Sequence, residues 1–208
     1  MVFSNLFFIY LFLPLNLLLY FAVKNQTWRN VVLLGFSLVF YAWGEPIWVF
    51  MLILTALLDY FWARCIERFR AQGNRLRMKL ALAASLCFDL GMLGIFKYSG
   101  FFMENLNAVT GLSLPVPRIA LPIGISFYTF QTISYVVDVY RGTVSAQRSF
   151  YRYLMYLSSY HQLVAGPIVR YSDVAAEIEN RSTTMQDFSE GITRFCIDVA
   201  SAYHRFYN

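Results

Sequence analysis

The sequence predicts an all-α integral membrane protein with about six membrane helices, and composition is the first reason. Of the 208 residues, 58% are hydrophobic and 14% are charged, and the mean hydropathy is +0.49. Soluble domains carry about 25% charged residues. The second reason is a series of apolar runs that approach the roughly 20 residues needed to cross a bilayer. The third is that basic residues gather in alternate loops, as membrane topology requires.

The apolar runs give the expected helices in order. The first has no Lys or Arg before Lys24, which favours a retained helix over a cleavable signal peptide. Gly44-Glu45-Pro46 predicts the turn of a helical hairpin, since glycine suits a helix end and proline a helix start. The sixth run either spans the membrane or re-enters it. The expected segments are 3–23, 31–43, 47–63, 80–96, 119–137 and 153–169.

The loops between these segments predict the orientation. Residues 64–79 are expected to form a loop with six Lys or Arg, and residues 97–118 a loop with two Gly and two Pro. Eleven Lys and Arg lie in loops on the side of 64–79, against two on the other side up to residue 118. The positive-inside rule places 64–79 in the cytoplasm and the N-terminus outside. This clustering indicates topology rather than a nucleic-acid surface, and binding of anionic lipid by 64–79 is the weaker alternative.

The fifth segment carries an unusual number of polar side chains. Polar groups are costly in a bilayer unless they face protein or water, so one side of this helix is expected to do so. The side chains concerned are Ser126, Thr129, Gln131, Thr132 and Ser134, with Asp138 and Arg141 at the far end.

Two further carboxylates fall in predicted membrane segments. Asp89 lies near the centre of the fourth segment. A carboxyl there either serves as a proton relay or ion site, or has a structural role, bonded to a neighbouring helix or placed where the bilayer is locally wet, and we favour the structural role. Asp59 lies near a cytoplasmic end, so a boundary ion pair with Arg64 is expected to satisfy it.

The sixth segment contains a lone histidine and a helix break. His161 has no neighbouring nucleophile or acid that resembles a catalytic triad, so a structural role is favoured over a catalytic one. Gly166 and Pro167 break a helix and free backbone carbonyls, which a membrane tolerates only beside protein or water. That break predicts a re-entrant turn that lines a cavity.

Other features have ordinary interpretations. The two His and three Cys show no metal-ligand or CxxC spacing, so no metal site is expected. The aromatic residues at 101–102 and 151–156 are expected to be interfacial anchors. Hydroxyl side chains at 182–184 predict the start of a helix, since they can satisfy free N–H groups there.

Five phrases of the sequence together resemble the membrane-bound O-acyltransferase family, in particular its alginate O-acetyltransferase branch. Each phrase alone is modest, but their order and spacing make the resemblance specific. It covers the chain from Met1 to about Phe195. The phrases lie at 1–14, 41–46, 94–102, 121–142 and 162–170.

The resemblance implies a multi-pass enzyme of the cell inner membrane that transfers acetyl groups. It would take acetyl from a cytoplasmic donor such as acetyl-CoA or an acyl carrier, with no bound cofactor, and pass it toward an exported polysaccharide such as alginate. Periplasmic or extracellular proteins would complete the transfer. The side chains expected to line the route, assigned from their polarity, are Gln131, Asp138, Gln162, Gly166 and Pro167.

The sequence departs from the family in three ways. Tyr160-His161 stands where the family has Phe-Pro, and Asp89 stands where many relatives have Asn. The Trp-His segment that holds the family's catalytic histidine has no counterpart, since the last Trp is Trp62. We therefore expect residues 1–195 to form the N-terminal part of an acyltransferase domain. Residues 196–208, which include His204, are expected to be an aberrant tail that results from a shifted reading frame or a premature stop, and the chain alone is expected to be inactive.

Two alternatives remain open at the level of sequence. Another envelope-glycan acyltransferase, acting on peptidoglycan or teichoic acid, would share these phrases. A transporter or channel-like protein would account for Asp89, Gln131 and the Gly-Pro break, because transport paths use interrupted helices and intramembrane polar groups. The ordered family phrases favour the acyltransferase.

Overall fold

A computed structural model describes residues 6–111, 113, 115–116, 120–163, 169–181 and 183–207 of the chain. Over these residues the secondary structure is helical, as predicted, with no strand. A π-helical turn, Phe8–Phe12, leads into the first α-helix. The α-helices are α1 (Leu13–Ala22), α2 (Gln26–Gly44), α3 (Trp48–Ala71), α4 (Arg75–Thr110), α5 (Ile125–Arg141), α6 (Phe150–Ser158), α7 (Tyr160–Leu163), α8 (Tyr171–Glu179) and α9 (Met185–Tyr207).

Two helices in the described part of the chain are long and apolar enough to cross a membrane. These are α3 and α4, each with a mean hydropathy of 1.7, and the segment Phe8–Ala22 is a shorter apolar helix. Only 33% of the apolar window of α3 and 22% of that of α4 is buried within the protein, so most of each faces outward. The third and fourth predicted spans are thus supported. The total of six and the outside N-terminus stay predictions.

The helix boundaries correct two predicted loops. Residues 64–79 are mostly helix, because α3 continues to Ala71 and α4 begins at Arg75 after a turn at Gly73 (φ 68°). Arginine and lysine are good helix formers whose stems can lie along apolar surface, so the basic stretch extends both helices. Residues 97–110 also belong to α4, which ends where Gly111 adopts the left-handed conformation (φ 69°).

The predicted sixth segment is broken rather than continuous. α6 ends at Ser158, and α7 begins at Tyr160. The 9 residues of α6 rise about 14 Å, which is less than half of the roughly 30 Å hydrocarbon core. α6 therefore cannot cross the bilayer by itself. The Gly166-Pro167 break predicted to form a re-entrant turn lies outside the described residues.

The core lies where α3, α4 and α5 pack together, with α6 beside them. It is rich in tyrosine: the Tyr135 ring packs at a tilt against Tyr153, with ring centroids 4.6 Å apart, and edge-on against Tyr171, at 4.9 Å. Tyr153 is fully buried and Tyr156 is 2% exposed, so the interfacial role predicted for these tyrosines is wrong. The amphipathic α6 turns these rings onto the other helices, where each buries a large apolar area.

Hydrogen bonds from α3 hold the C-terminal end of α5, which the charge pattern predicts to lie on the cytoplasmic side. Arg70 donates hydrogen bonds to the carbonyl oxygens of Val139 and Tyr140, and Glu67 accepts one from the Ala146 N–H at 3.1 Å. Gly142 ends α5 with φ 84°, close against the Arg70 guanidinium. Free carbonyls at a helix end attract a cation. These bonds fix the last turn of α5, which carries Asp138.

The start of α9 is stabilised as the hydroxyl-rich sequence predicts. The Asp187 carboxylate accepts hydrogen bonds from the Thr184 N–H at 2.9 Å and from its hydroxyl at 2.7 Å, and the Thr184 hydroxyl accepts one from the Asp187 N–H at 3.2 Å. This reciprocal pattern caps the helix. α9 runs without interruption through residue 195. The boundary predicted between 195 and 196 stays a prediction.

Candidate functional site

The polar face of α5 is turned into the protein, as predicted. Gln131 and Asp138 lie seven residues apart, which places them on the same side of the helix. Both are buried, at 5% and 7% exposure. The hydroxyls of Thr132 and Ser134 donate to the helix's own carbonyls, at Thr129 (2.8 Å) and Gln131 (2.9 Å). Hydroxyls bonded in this way need no outside partner, whereas the Gln131 side-chain N–H₂ has none among the described residues.

Tyr156 of α6 connects this face to the segment after α7. Gln131, Ser134 and Asp138 of α5 lie within electrostatic range of its hydroxyl. The same hydroxyl donates to the Val169 carbonyl oxygen at 2.9 Å. Tyr156 therefore brings three separate parts of the chain together: α5, α6 and the residues that lead into α8.

A cavity of about 240 Å³ is lined in part by Tyr156. Gln162 forms part of its wall, and the Gln162 side-chain carbonyl oxygen has no hydrogen-bond partner among the described residues. The lining combines amide, imidazole, carboxylate and guanidinium groups with aliphatic ones. It consists of Leu33, Met155, Tyr156, Ser159, His161, Gln162, Val174, Glu177, Ile178 and Arg181.

The cavity has the character of a binding surface rather than of a catalytic triad. The Ser159 hydroxyl is already used in a hydrogen bond, which it donates to the Met155 carbonyl at 2.7 Å. The described contact of the His161 ring is with the Tyr160 ring, at 5.3 Å between centroids. Arg181 donates to the Tyr20 hydroxyl at 3.2 Å. Acyl transfer by a catalytic triad needs a nucleophile that is hydrogen-bonded to a base, and a base that is hydrogen-bonded to an acid. These contacts do not form such a chain.

The predicted lining residues therefore fall into three groups. Gln131 and Asp138 lie beneath Tyr156 on α5, and Gln162 lies on the cavity wall. Gly166 and Pro167 lie outside the described residues. Sequence reasoning missed Tyr156, taken for an interfacial anchor. It also missed Glu177 and Arg181. They belong to a polar segment, and nothing in the neighbouring sequence indicates that this segment packs beside α6.

A second polar cluster lies between α3, α4 and α5. Asp59, Ser85 and Asp89 are fully buried, and the Ser85 hydroxyl donates to the Asp59 carboxylate at 3.0 Å. Asp89 follows Ser85 by four residues on α4 and so lies on the same side of that helix, which places its carboxyl beside that of Asp59, with Thr132 of α5 nearby. Asp89 thus faces neighbouring helices, but neither of its carboxylate oxygens has a hydrogen-bond partner among the described residues, so the hydrogen bond that the favoured interpretation predicted is not observed.

The partner predicted for Asp59 is wrong. Arg64 pairs with Glu67, at 3.8 Å, instead of with Asp59. Arg64 lies five residues after Asp59, and five residues are about 500° of helical rotation, so the two side chains point to different sides of α3. Asp59 points into the bundle, where Ser85 of α4 is its neighbour.

Comparison with known proteins supplies the family context of this architecture. The chain is 37% identical over 199 residues to a protein of Pseudomonas putida named probable alginate O-acetylase AlgI, and 38% identical over 200 residues to one of the same name from Pseudomonas syringae pv. tomato. These matches take in 94% of this chain but 40% and 38% of the two relatives. A peptidoglycan O-acetyltransferase of Helicobacter pylori is 28% identical over 210 residues, with 88% of this chain and 39% of that protein covered.

The chain spans about two fifths of the length of the curated relatives it matches. No protein-family model matches it. No solved structure matches it either. The resemblance that the five sequence phrases indicated is nevertheless confirmed: the chain is a relative of the alginate O-acetylases and, at lower identity, of a peptidoglycan O-acetyltransferase.

Proposed function

We propose that this chain forms part of a membrane-embedded O-acyltransferase that moves acetyl groups from a cytoplasmic donor toward an exported polysaccharide such as alginate. The observation that carries the proposal is the 35–38% identity to proteins named alginate O-acetylase, which extends over 94% of the chain. The donor would be acetyl-CoA or an acyl carrier. Periplasmic or extracellular proteins would receive the acetyl group, and the enzyme would reside in the inner membrane as a multi-pass protein.

In this proposal the buried side of α5 and the cavity beside Tyr156 belong to one route for the acyl group or its acceptor. Gln131 and Gln162 each have an amide atom without a partner among the described residues. Unsatisfied amides beside a cavity suit a ligand rich in hydroxyl or carbonyl groups, since leaving them unpaired is costly. Asp138 would orient Tyr156 from the last turn of α5, and Gly166 and Pro167 would also line the route.

None of the described residues is identified as the base that acetyl transfer to a hydroxyl requires. Transfer of an acyl group to a sugar hydroxyl needs a group to accept the hydroxyl proton. His161 lies at the cavity but has no carboxylate to orient it among its described contacts. The resemblance places the catalytic histidine in a Trp-His segment, which this sequence does not contain. We therefore propose that the 208-residue chain alone does not transfer acetyl groups.

A chimera tests both parts of the proposal. Residues 1–195 of this chain would replace the aligned segment of a Pseudomonas alginate O-acetylase, in a strain that lacks its own copy, and the acetyl content of exported alginate would be measured. The chimera is expected to restore acetylation, and the 208-residue chain alone is expected not to. A chimera that inserts at normal levels but leaves alginate unacetylated would contradict the proposed function.

A peptidoglycan acceptor is the second candidate, favoured by the similarity to the Helicobacter pylori peptidoglycan O-acetyltransferase. The lower identity, 28% against 37–38%, ranks it below alginate. Expressing the chain's segment within each of the two enzymes separates the candidates. Acetyl groups restored on peptidoglycan but not on alginate would reverse the ranking.

A further inference from the structure

The cluster between α3, α4 and α5 has a feature that the acetyl-transfer proposal does not use. The side chains of Asp59 on α3 and Asp89 on α4, hereafter the acid pair, are both fully buried in the apolar interior of the bundle. One of the four carboxylate oxygens, Asp59 Oδ1, accepts a hydrogen bond from Ser85 at 3.0 Å. The other three have no hydrogen-bond partner among the described residues.

Positive charge is what the acid pair lacks. In the part of the chain that the structure describes, the ion pairs are Arg64–Glu67 and Arg152–Glu179, and neither involves the acid pair. Two ionised carboxylates side by side in a medium of low dielectric constant repel each other, and each loses its hydration. Such a pair persists only when a cation or a proton reduces its charge.

The hydroxyl groups around the acid pair cannot replace that charge. Thr132 lies near both carboxyls, but its hydroxyl donates to the Thr129 carbonyl at 2.8 Å. Tyr128 on α5 and Tyr153 on α6 are fully buried, and the hydroxyl groups of both have no partner among the described residues. Tyr128 is within electrostatic range of Asp89, and Tyr153 of both carboxyls. These groups offer dipoles but no net charge.

The mutual approach of the two carboxyls indicates which cation fits. Ionised carboxylates only accept hydrogen bonds, so two of them within hydrogen-bonding reach are bonded only if one carries a proton. A metal cation such as Na⁺ would need the two groups to open around a shell of oxygen ligands. A single proton bridges them as they stand and leaves one negative charge, which Ser85 stabilises.

We propose that the acid pair of Asp59 and Asp89 is an intramembrane binding site for one proton, shared between the two carboxyls and walled by Ser85, Thr132, Tyr128 and Tyr153. It is separate from the cavity beside Tyr156, and it does not depend on acetyl transfer. When the proton binds, one O–H bond forms on either carboxyl, and the other carboxylate accepts a hydrogen bond from it. Removal of the proton sets two negative charges against each other and weakens the packing of α3 against α4 and α5.

Infrared spectroscopy of the purified 208-residue chain tests the proposal directly. The chain, labelled with ¹³C-aspartate, would be studied in detergent at neutral pH in a buffer free of Na⁺. The carbonyl-stretching band of a protonated aspartic acid is expected. Asp59→Asn/Asp89→Asn together should abolish it, because asparagine has nearly the same shape and no carboxyl proton. Asp173→Asn, which changes an exposed aspartate, should leave it unchanged.

Absence of the band in the unmodified chain at neutral pH would overturn the proposal, whether or not the double variant folds. A thermal melt supplies the second readout. The melting temperature of the unmodified chain should fall as the pH rises into the alkaline range, and that of the double variant should change less. If Na⁺, compared with choline, raises the melting temperature and removes the band, the site binds a metal cation and the assignment to a proton is wrong.

Discussion

The contact between Gly142 and Arg70 allows a quantitative test of how α5 is held in place. Gly142 has φ 84°, and a Cβ added there would lie 2.9 Å from Nη1 and 3.2 Å from Cζ of Arg70. A non-glycine residue in the left-handed region costs about 1–2 kcal/mol. Moving the guanidinium away from its two carbonyl acceptors would cost about 1.5–3 kcal/mol more, since hydrogen bonds to charged groups have that magnitude.

Gly142→Ala is therefore expected to destabilise the protein by about 2–4 kcal/mol, allowing for partial movement of the arginine. Gly73→Ala is the matched control, because Gly73 has φ 68° but no atom within 4 Å of an added Cβ. The control should cost only the backbone part, about 1–2 kcal/mol. Unfolding by sodium dodecyl sulfate in mixed micelles, followed by circular dichroism, would measure both.

The combination with Arg70→Met isolates the contact. In that background Gly142→Ala should cost no more than Gly73→Ala, because the guanidinium is gone. Equal costs for the two alanine variants in the unmodified background would refute the reasoning, and would mean that Arg70 does not anchor the end of α5.

Four further predictions concern the route and the helix ends. Asp138→Asn in the chimera should lower alginate acetylation without changing protein level, and unchanged transfer would remove Asp138 from the route. Tyr156→Phe should destabilise the chain by about 1 kcal/mol, the usual value of a hydrogen bond, because its bond to the Val169 carbonyl is lost; an unchanged midpoint of unfolding would contradict this. Thr184→Ala should speed amide exchange in the first turn of α9, since it removes the hydroxyl of the cap. Hydrogen bonds from Thr184 hold the pKa of the Asp187 carboxyl below its usual range. The cap should therefore be intact above the ordinary aspartate pKa and be lost as the pH falls through the lowered pKa. Amide exchange in the first turn of α9 that does not change on acidification would contradict this pH dependence.

Local features of the sequence were enough to predict several elements. The turn at Gly44-Glu45-Pro46 lies between α2 and α3 as expected, and α9 starts after the hydroxyl-rich stretch. The buried polar face of α5 was also predictable, because polar side chains in an apolar run must face protein or water. The relationship to O-acetyltransferases could be inferred from phrases that lie next to one another in the chain.

Helix ends were predicted less well, because hydropathy marks where apolar residues stop and not where hydrogen bonding stops. α3 and α4 continue through basic residues that form helices well. The burial of Tyr153 and Tyr156 likewise depends on which side of α6 meets α5, and a short aromatic helix carries no sign of this.

Composition and neighbouring residues are enough to show that the chain is helical and suited to a membrane, which relatives it has, and which helix carries an inward polar face. The partners of side chains across helices, by contrast, follow from the packing of the folded chain. Asp59 meets Ser85, 26 positions away, and Tyr156 joins α5 to Val169. Such pairs depend on the rotation and depth at which helices pack. That arrangement is set by the fit of all the buried side chains together, and the residues next to each partner carry no sign of it.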